Sequence, residues 1–187
     1  MKISHVLTAV IAACVVTGEA SAHHKQQQDL LLLIDGRKNV YECEIPATDR
    51  GTTIASCHDH DVINLKTGKV IGTATDTTAD VEAIGDGLVA TGTTFFHLKH
   101  GAFTLRGRGT IQPTLVGQPV LDNAPVTHIA GVFPNKGDNQ VLEGTGKYAH
   151  ATGTFALLGA LDLSQATQGI EKYHCVYTIA LRLARKK

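Results

Sequence analysis

The sequence predicts an all-β domain, with a closed antiparallel barrel as the leading architecture and a β-sandwich as the alternative. Three observations carry this. Strand-sized runs rich in Val, Thr and aromatic residues follow one another at short intervals, punctuated by Gly- and Asp-containing turns. The 187 residues hold 19 Gly and 22 Thr against one Met and no Trp. No segment repeats apolar residues at helical spacing for more than a turn or two.

The elements read in order as follows. Residues 29–34 and 40–45 form the first strands, separated by a turn over 35–39 that contains Asp35, Gly36 and Asn39. A turn at 66–69 feeds a strand over 70–76. Asp86-Gly87 opens a strand over 88–98, and Lys99-His100-Gly101 folds it back into 102–111. Alternation is legible there: Phe103, Leu105 and Ile111 share one face, and Thr104, Arg106, Arg108 and Thr110 share the other. Residues 112–125 carry three prolines and read as a loop. Runs over 127–133, 140–142, 153–163 and 172–183 complete the set. In the last of these Tyr173, Cys175, Tyr177, Ile179 and Leu181 lie on one face.

Charge and length narrow the function classes. Lys+Arg and Asp+Glu both total 17, so no basic field for nucleic acid is expected. Charged residues make up 18%, against about 25% in ordinary soluble chains, while 43% are hydrophobic, enough for a core. Residues 1–22 read as a cleavable signal peptide: Lys2, an apolar stretch over 6–16, and Ala20-Ser21-Ala22 before the cut. That stretch is too short to span a bilayer, which takes about 20 residues, and the chain is not expected to be an integral membrane protein. A lipobox reading through Ile11-Ala12-Ala13-Cys14 competes with simple secretion. The division is then residues 1–22 signal, 23–28 a polar lead-in and 29–187 one domain, secreted or periplasmic. Of the remaining cysteines, Cys43 and Cys57 flank a segment that can form a hairpin and are expected to pair, with Cys175 a buried thiol.

Several clusters can carry chemistry. In His58-Asp59-His60-Asp61 an extended chain turns both histidines one way and both carboxylates the other. Imidazoles at i and i+2 can ligate a metal ion, and paired carboxylates inside a barrel can serve as acid and base. The competing reading is a solvated edge. Arg106 and Arg108 can clamp a carboxylate or developing negative charge, with Glu143, Asp59 and Asp61 as partners, or can simply be solvated. Cleavage after Ala22 would expose His23, whose amine and ring make a copper chelate if a second histidine such as His60 joins it. No nucleotide-binding glycine motif and no nucleophile elbow occurs.

The stretch Gly144-Thr145-Gly146-Lys147-Tyr148-Ala149-His150-Ala151-Thr152-Gly153 resembles the G-T-G-x-[FY]-x-x-A-x-G signature of dirigent proteins, and allene oxide cyclases carry a similar one. Gly72-Thr73-Ala74 and the hairpin from Phe96 to Leu105 precede it in the same order, and an aromatic strand ending Val176-Tyr177 follows. Where the family's hairpin strand continues T-L-x-x-x-G-R, this chain has Arg106-Gly107-Arg108-Gly109. The resemblance covers residues 59–183. It implies an eight-stranded barrel, often oligomeric, whose apolar cavity shapes a small reactive molecule and contains acidic residues.

The expected function is therefore a cyclase, isomerase or stereochemistry-directing protein acting on a small hydrophobic ligand, without a cofactor or bound metal. A non-catalytic secreted binding module is the alternative, and an N-terminal-His copper protein the third reading. The expected roles are Asp61 as acid or base, Glu143 as charge partner, Arg106 as anion clamp and Tyr148 as hydrogen-bond donor. Asp59, Arg108, Tyr173 and Tyr177 are the expected cavity lining. The glycine signature has a plainer reading as well, a tight turn whose Tyr148 ring plugs one barrel end.

Overall fold

The computed structural model describes residues 26–47, 51–114, 120–121, 124–132 and 139–184. Among them the strands are, in chain order, β1 (Gln26–Asn39), β2 (Tyr41–Pro46), β3 (Thr52–Asn64), β4 (Lys69–Ile84), β5 (Gly87–Leu98), β6 (Gly101–Pro113), β7 (Val120–Leu121), β8 (Ala124–Pro125), β9 (His128–Val132), β10 (Gln140–Gly144), β11 (Thr152–Asp162) and β12 (Ile170–Leu183). The only helical pieces among the described residues are two three-residue 3₁₀ turns. The segment 1–22 expected to be a signal peptide, with Cys14, and residues 23–25 of the polar lead-in, with His23 and His24, lie outside the described residues.

Pairing closes the sheet on itself. β1 pairs with β12, then β11, β9, β6, β5, β4 and β3 follow, and β3 returns to β1 through Leu32–Asn64 to Asp35–Asp61. Every one of these pairings is antiparallel, so eight strands form a barrel. Closure removes the unpaired edges that an open sheet of this size would expose. β9 and β10 share the edge of β6, β9 along Thr110–Pro113 and β10 along Phe103–Arg106.

The predicted turn over 35–39 is not there. β1 runs straight through it because β12 offers hydrogen-bonding partners all the way from Gln26–Leu183 to Asn39–Ile170. A long facing strand outweighs the local turn preference of Asp-Gly. The chain turns only at Val40, whose N–H donates to the Gly169 carbonyl at 3.0 Å. The predicted 112–125 loop contains a small hairpin, β7 with β8. β3 was not among the predicted strands, and its burial explains why its alternation is hard to read: Cys57 and His58 are adjacent and both buried.

That adjacency has a structural cause. His58, His60 and Val62 point into the barrel, where they meet a core that includes Leu32, Phe96, Phe103, Leu105, Phe155, Tyr177, Ile179 and Leu181. Ala55 and Cys57 point outward, into a second apolar cluster with Ile45, Ala79, Cys43 and Phe95. The β2–β3 arm therefore folds over the outer wall. The Cys43–Cys57 disulfide staples it, with the two Cα atoms 6.0 Å apart.

The glycine signature forms the bottom of the barrel. Gly146 adopts φ 56°, a left-handed conformation that a side chain would strain. A Cβ on Gly144 would stand 2.3 Å from the Tyr148 carbonyl oxygen, so only glycine fits there. The turn drives Tyr148 into the barrel end, its ring 5.0 Å from that of Phe103, which itself stacks on Phe96 at 4.9 Å. The plug is thus built from Tyr148, Phe103 and Phe96, each fully covered aromatic contributing on the order of 1.5–3 kcal/mol through burial.

Candidate functional site

Above the aromatic plug the barrel interior becomes polar, and three strands set the row. His58 on β3 lies opposite Asp76 on β4, which lies opposite Thr94 on β5. All three point inward because they keep the phase of His60, Ala74 and Phe96, which lie two residues away on the same strands. From the far wall β12 contributes Tyr173, Cys175 and Tyr177.

The Asp76 carboxylate is the centre of this row. Thr94 Oγ1 donates to Asp76 Oδ1 at 2.6 Å, and the Tyr177 hydroxyl donates to the same oxygen at 3.3 Å while standing 2.8 Å from Thr94 Oγ1. Burial pushes the Asp76 pKa up to about 6, against the opposing pull of the bonds from Thr94, Tyr177 and the Thr77 backbone. What remains accessible of Asp76 faces a cavity. Burial, and then the Asp76 charge, raise Tyr177 well above the ordinary phenol value and do the same to the Cys175 thiol. A carboxyl that exchanges its proton near neutrality, beside a phenol that keeps its own, is equipped for acid–base work.

The cavity has a volume of about 70 Å³ and is half open to solvent. By that measure one water needs about 10–15 Å³. Its wall is apolar apart from Asp76, the threonines, the tyrosine hydroxyls and the Cys175 thiol. The space exists because the strands facing it carry little: Gly92, Gly107, Gly109, Gly131, Ala90 and Ala130 all line it. A Cβ on Gly107 would stand 2.4 Å from Asn139 Oδ1 and one on Gly109 2.4 Å from a Val132 methyl, whereas one on Gly92 would meet nothing nearer than 3.9 Å. Gly92 therefore looks into the open space itself.

A second polar group adjoins the first. The Tyr173 hydroxyl donates to Glu171 Oε2 and stands 3.4 Å from His58 Nε2, with the two rings 4.6 Å apart. Burial lowers the His58 pKa, against the pull of Glu171 and Asp59, and raises that of Tyr173, with Glu171 adding to the effect. His58 Nδ1 is buried with no hydrogen-bond partner among the described residues.

The residues expected from sequence divide sharply. Tyr173 and Tyr177 line the cavity. Asp59 and Asp61 do not: the strand turns the histidines inward and the carboxylates out. Asp59 accepts bonds from Tyr41 at 3.2 Å and Thr75 at 2.7 Å, and Asp61 is exposed opposite Thr73. Arg106 lies on the outer face, where its guanidinium donates to the carbonyls of Pro46 at 2.7 Å and Ala47 at 3.3 Å and to Thr93 Oγ1 at 3.0 Å. It holds the β2 arm down. Arg108 is exposed and pairs with Glu82 at 2.7 Å, a contact screened by water. Glu143 is exposed on β10, and Tyr148 belongs to the plug rather than the cavity. The outward phase of β6 places both arginines outside, since Phe103, Leu105 and Gly107 take the interior.

Sequence reading missed Asp76. The signal was available two residues beyond the Gly72-Thr73-Ala74 strand: Gly72, Ala74 and Asp76 share a face, and Asp76 is its one charge. Among the described residues, no three His, Cys, Asp or Glu side chains are grouped to hold a metal ion. His60, the suggested partner for an N-terminal copper chelate, is 1% exposed inside the barrel.

Fold and site together define a closed eight-stranded antiparallel barrel with, above an aromatic plug, a recess that is apolar apart from Asp76, the threonines, the tyrosine hydroxyls and the Cys175 thiol. Among solved structures, that of the pterocarpan synthase dirigent protein GePTS1 is similar over 96% of this chain and 100% of that one, with 13% identity and a TM-score of 0.45. The barrel assignment rests on this chain's own strand pairing. No protein-family model and no curated protein matches the sequence.

Proposed function

We propose that the barrel holds one small, largely apolar molecule in the cavity between β4, β5, β6, β9, β11 and β12, and acts on it as a cyclase, isomerase or stereochemistry-directing protein. One observation carries the reading: a carboxyl that titrates near neutrality, hydrogen-bonded by Thr94 and Tyr177, stands in an otherwise apolar recess. Confinement restricts a flexible molecule to few conformers, and Asp76 gives or takes the proton that closes or shifts a bond. Tyr177 keeps its proton and, donating it to Asp76, holds the carboxyl in place. Asp76 takes the role expected of Asp61.

A carrier without chemistry uses the same cavity, and Asp76 separates the two. Native mass spectrometry of the protein purified from its own compartment is expected to show a small-molecule adduct. Incubation with that molecule is expected to yield an isomer in the wild type and none in Asp76→Asn. Binding without conversion in the wild type means a carrier. Absence of any adduct, together with no uptake of an apolar fluorescent dye, refutes both.

Export through the segment 1–22 is the companion proposal. It is supported by the Cys43–Cys57 disulfide, a bond that persists outside the reducing cytosol. Among the described residues no helix is long and apolar enough to cross a membrane. Self-association with a second copy of the chain is supported by an outer band in which Ile63, Leu33, Val176 and Leu158 stand in register, with Leu158 65% and Ile129 49% exposed.

A further inference from the structure

A molecule that fills the cavity also stops its mouth. Asp76 then loses its contact with water just when it must exchange a proton, and a second route becomes necessary. The polar groups beside it supply one. His58 is the cross-strand neighbour of Asp76, its Nδ1 is buried without a hydrogen-bond partner among the described residues, and its Nε2 lies 3.4 Å from the Tyr173 hydroxyl. That hydroxyl donates to Glu171, whose side chain is 19% exposed and reaches the surface. His58, Tyr173 and Glu171 make a contact chain from the barrel interior toward solvent, and Asp76 occupies the cross-strand position beside its inner end.

We propose that His58, Tyr173 and Glu171 form a proton path between Asp76 and solvent that stays open when the cavity is occupied. The inference rests on Asp76 being the proton-handling group of the site. In the outward direction a proton leaves Asp76, or the bound molecule, and reaches His58 Nδ1 through a water bridging the gap between the two paired positions. The proton on Nε2 passes to the Tyr173 oxygen, and the Tyr173 proton passes to the Glu171 carboxylate, which releases it to water. Each bond broken is matched by one formed, and one positive charge moves outward. The imidazole is left in its other tautomer, and an inward transfer restores it. Neutral imidazole is the form this needs, and burial favours it.

The titratable groups around His58 are Tyr173 and Glu171 from β12, His60 on its own strand, Asp76 at the paired position of β4, and Asp59, which acts on it from the outer face. Gly36 of β1, which pairs with Tyr173, brings none, and a Cβ there would stand 3.4 Å from the His60 ring. Glu171 is therefore the acid nearest the exit. Arg106 and Arg108 lie on the outer face and take no part.

The experiment is a pH jump followed by the infrared carbonyl band of protonated Asp76, which Asp76→Asn identifies by removing it. It is run in a Gly92→Val background, where the added side chain stands in for the occupant and no ligand is needed. Glu171→Gln and Tyr173→Phe are expected to slow protonation at least tenfold, with the Asp76 midpoint unchanged from that of the Gly92→Val parent. Glu171→Asp is expected to recover most of the rate. A merely structural role would shift the midpoint or unfold the barrel without this split. Unchanged rates in Glu171→Gln overturn the path, and that isosteric change near the surface keeps the protein folded if His58 or Tyr173 variants do not. Slowed exchange in a protein that takes up no small molecule refutes the proposed function and leaves the path standing. Normal exchange with normal uptake does the reverse.

Discussion

Gly92→Val is the sharpest test of the cavity. Gly92 lies on β5 between Thr78 of β4 and Gly107 of β6, facing the open space. The nearest atoms to an added Cβ are the backbone oxygens of Gly107 and Thr77, both at 3.9 Å, an ordinary van der Waals separation. The backbone there is not left-handed, so no strain opposes the change. Three carbon groups enter a half-open cavity of about 70 Å³. At about 0.8 kcal/mol per buried group the transfer gain is at most about 2.4 kcal/mol. Replacing a strand glycine adds about 0.5–1 kcal/mol through the unfolded chain, and imperfect fit takes back about 1–2. The net expectation is a gain of about 1–2 kcal/mol, or about 3–6 °C in melting temperature for a chain of this size. Uptake of an apolar fluorescent dye is expected to weaken at least tenfold. A variant that melts lower, or that binds dye as the wild type does, refutes the placement of the cavity.

Three further outcomes follow from the same geometry. Asp76 is held with its pKa raised to about 6 from 3.8, so folding favours its protonated form: its contribution is intact below about pH 4 and is lost as pH rises through 6. Asp76→Asn should therefore be neutral at pH 4 and more stable than the wild type by about 2–3 kcal/mol at pH 8, read by chemical denaturation at both values. Replacing Cys43 and Cys57 together by Ser opens a loop of sequence separation 14 and should cost about 3 kcal/mol in thermal or urea unfolding. Arg106→Ala removes two hydrogen bonds that pin the end of the β2 arm and a third to Thr93 of β5, and should cost about 1–3 kcal/mol and speed proteolysis near residues 41–47, with dye uptake intact.

Much of the barrel was legible because strand phase is local. Phe103 and Leu105 inside with Arg106 and Arg108 opposite, and Tyr173, Cys175 and Tyr177 on one face, were read from alternation and hold in the structure. The disulfide pair was legible from spacing and hairpin geometry. The site was not. In His58-Asp59-His60-Asp61 the sequence separates imidazoles from carboxylates but does not say which pair is inside. Only closure of β3 against β1 and β4 decides it, and it puts the histidines in. Arg106 has the chemistry of an anion clamp, yet its guanidinium is spent on carbonyls 60 residues away in sequence.

By itself, then, the sequence determined which residues share a strand face, where turns fall at Gly68 and Gly101, and that a neutral, threonine-rich chain makes strands rather than helices. Those properties depend on neighbours along the chain, at a period of two. The tertiary structure alone decided which face is interior, that β1 continues past Gly36, and that Asp76 rather than Asp61 is the carboxyl lining the cavity. Each of these depends on partners distant in sequence: β12 for β1, Thr94 and Tyr177 for Asp76. A carboxylate acquires a shifted pKa from what surrounds it in space, and that surrounding is assembled only when the eight strands close.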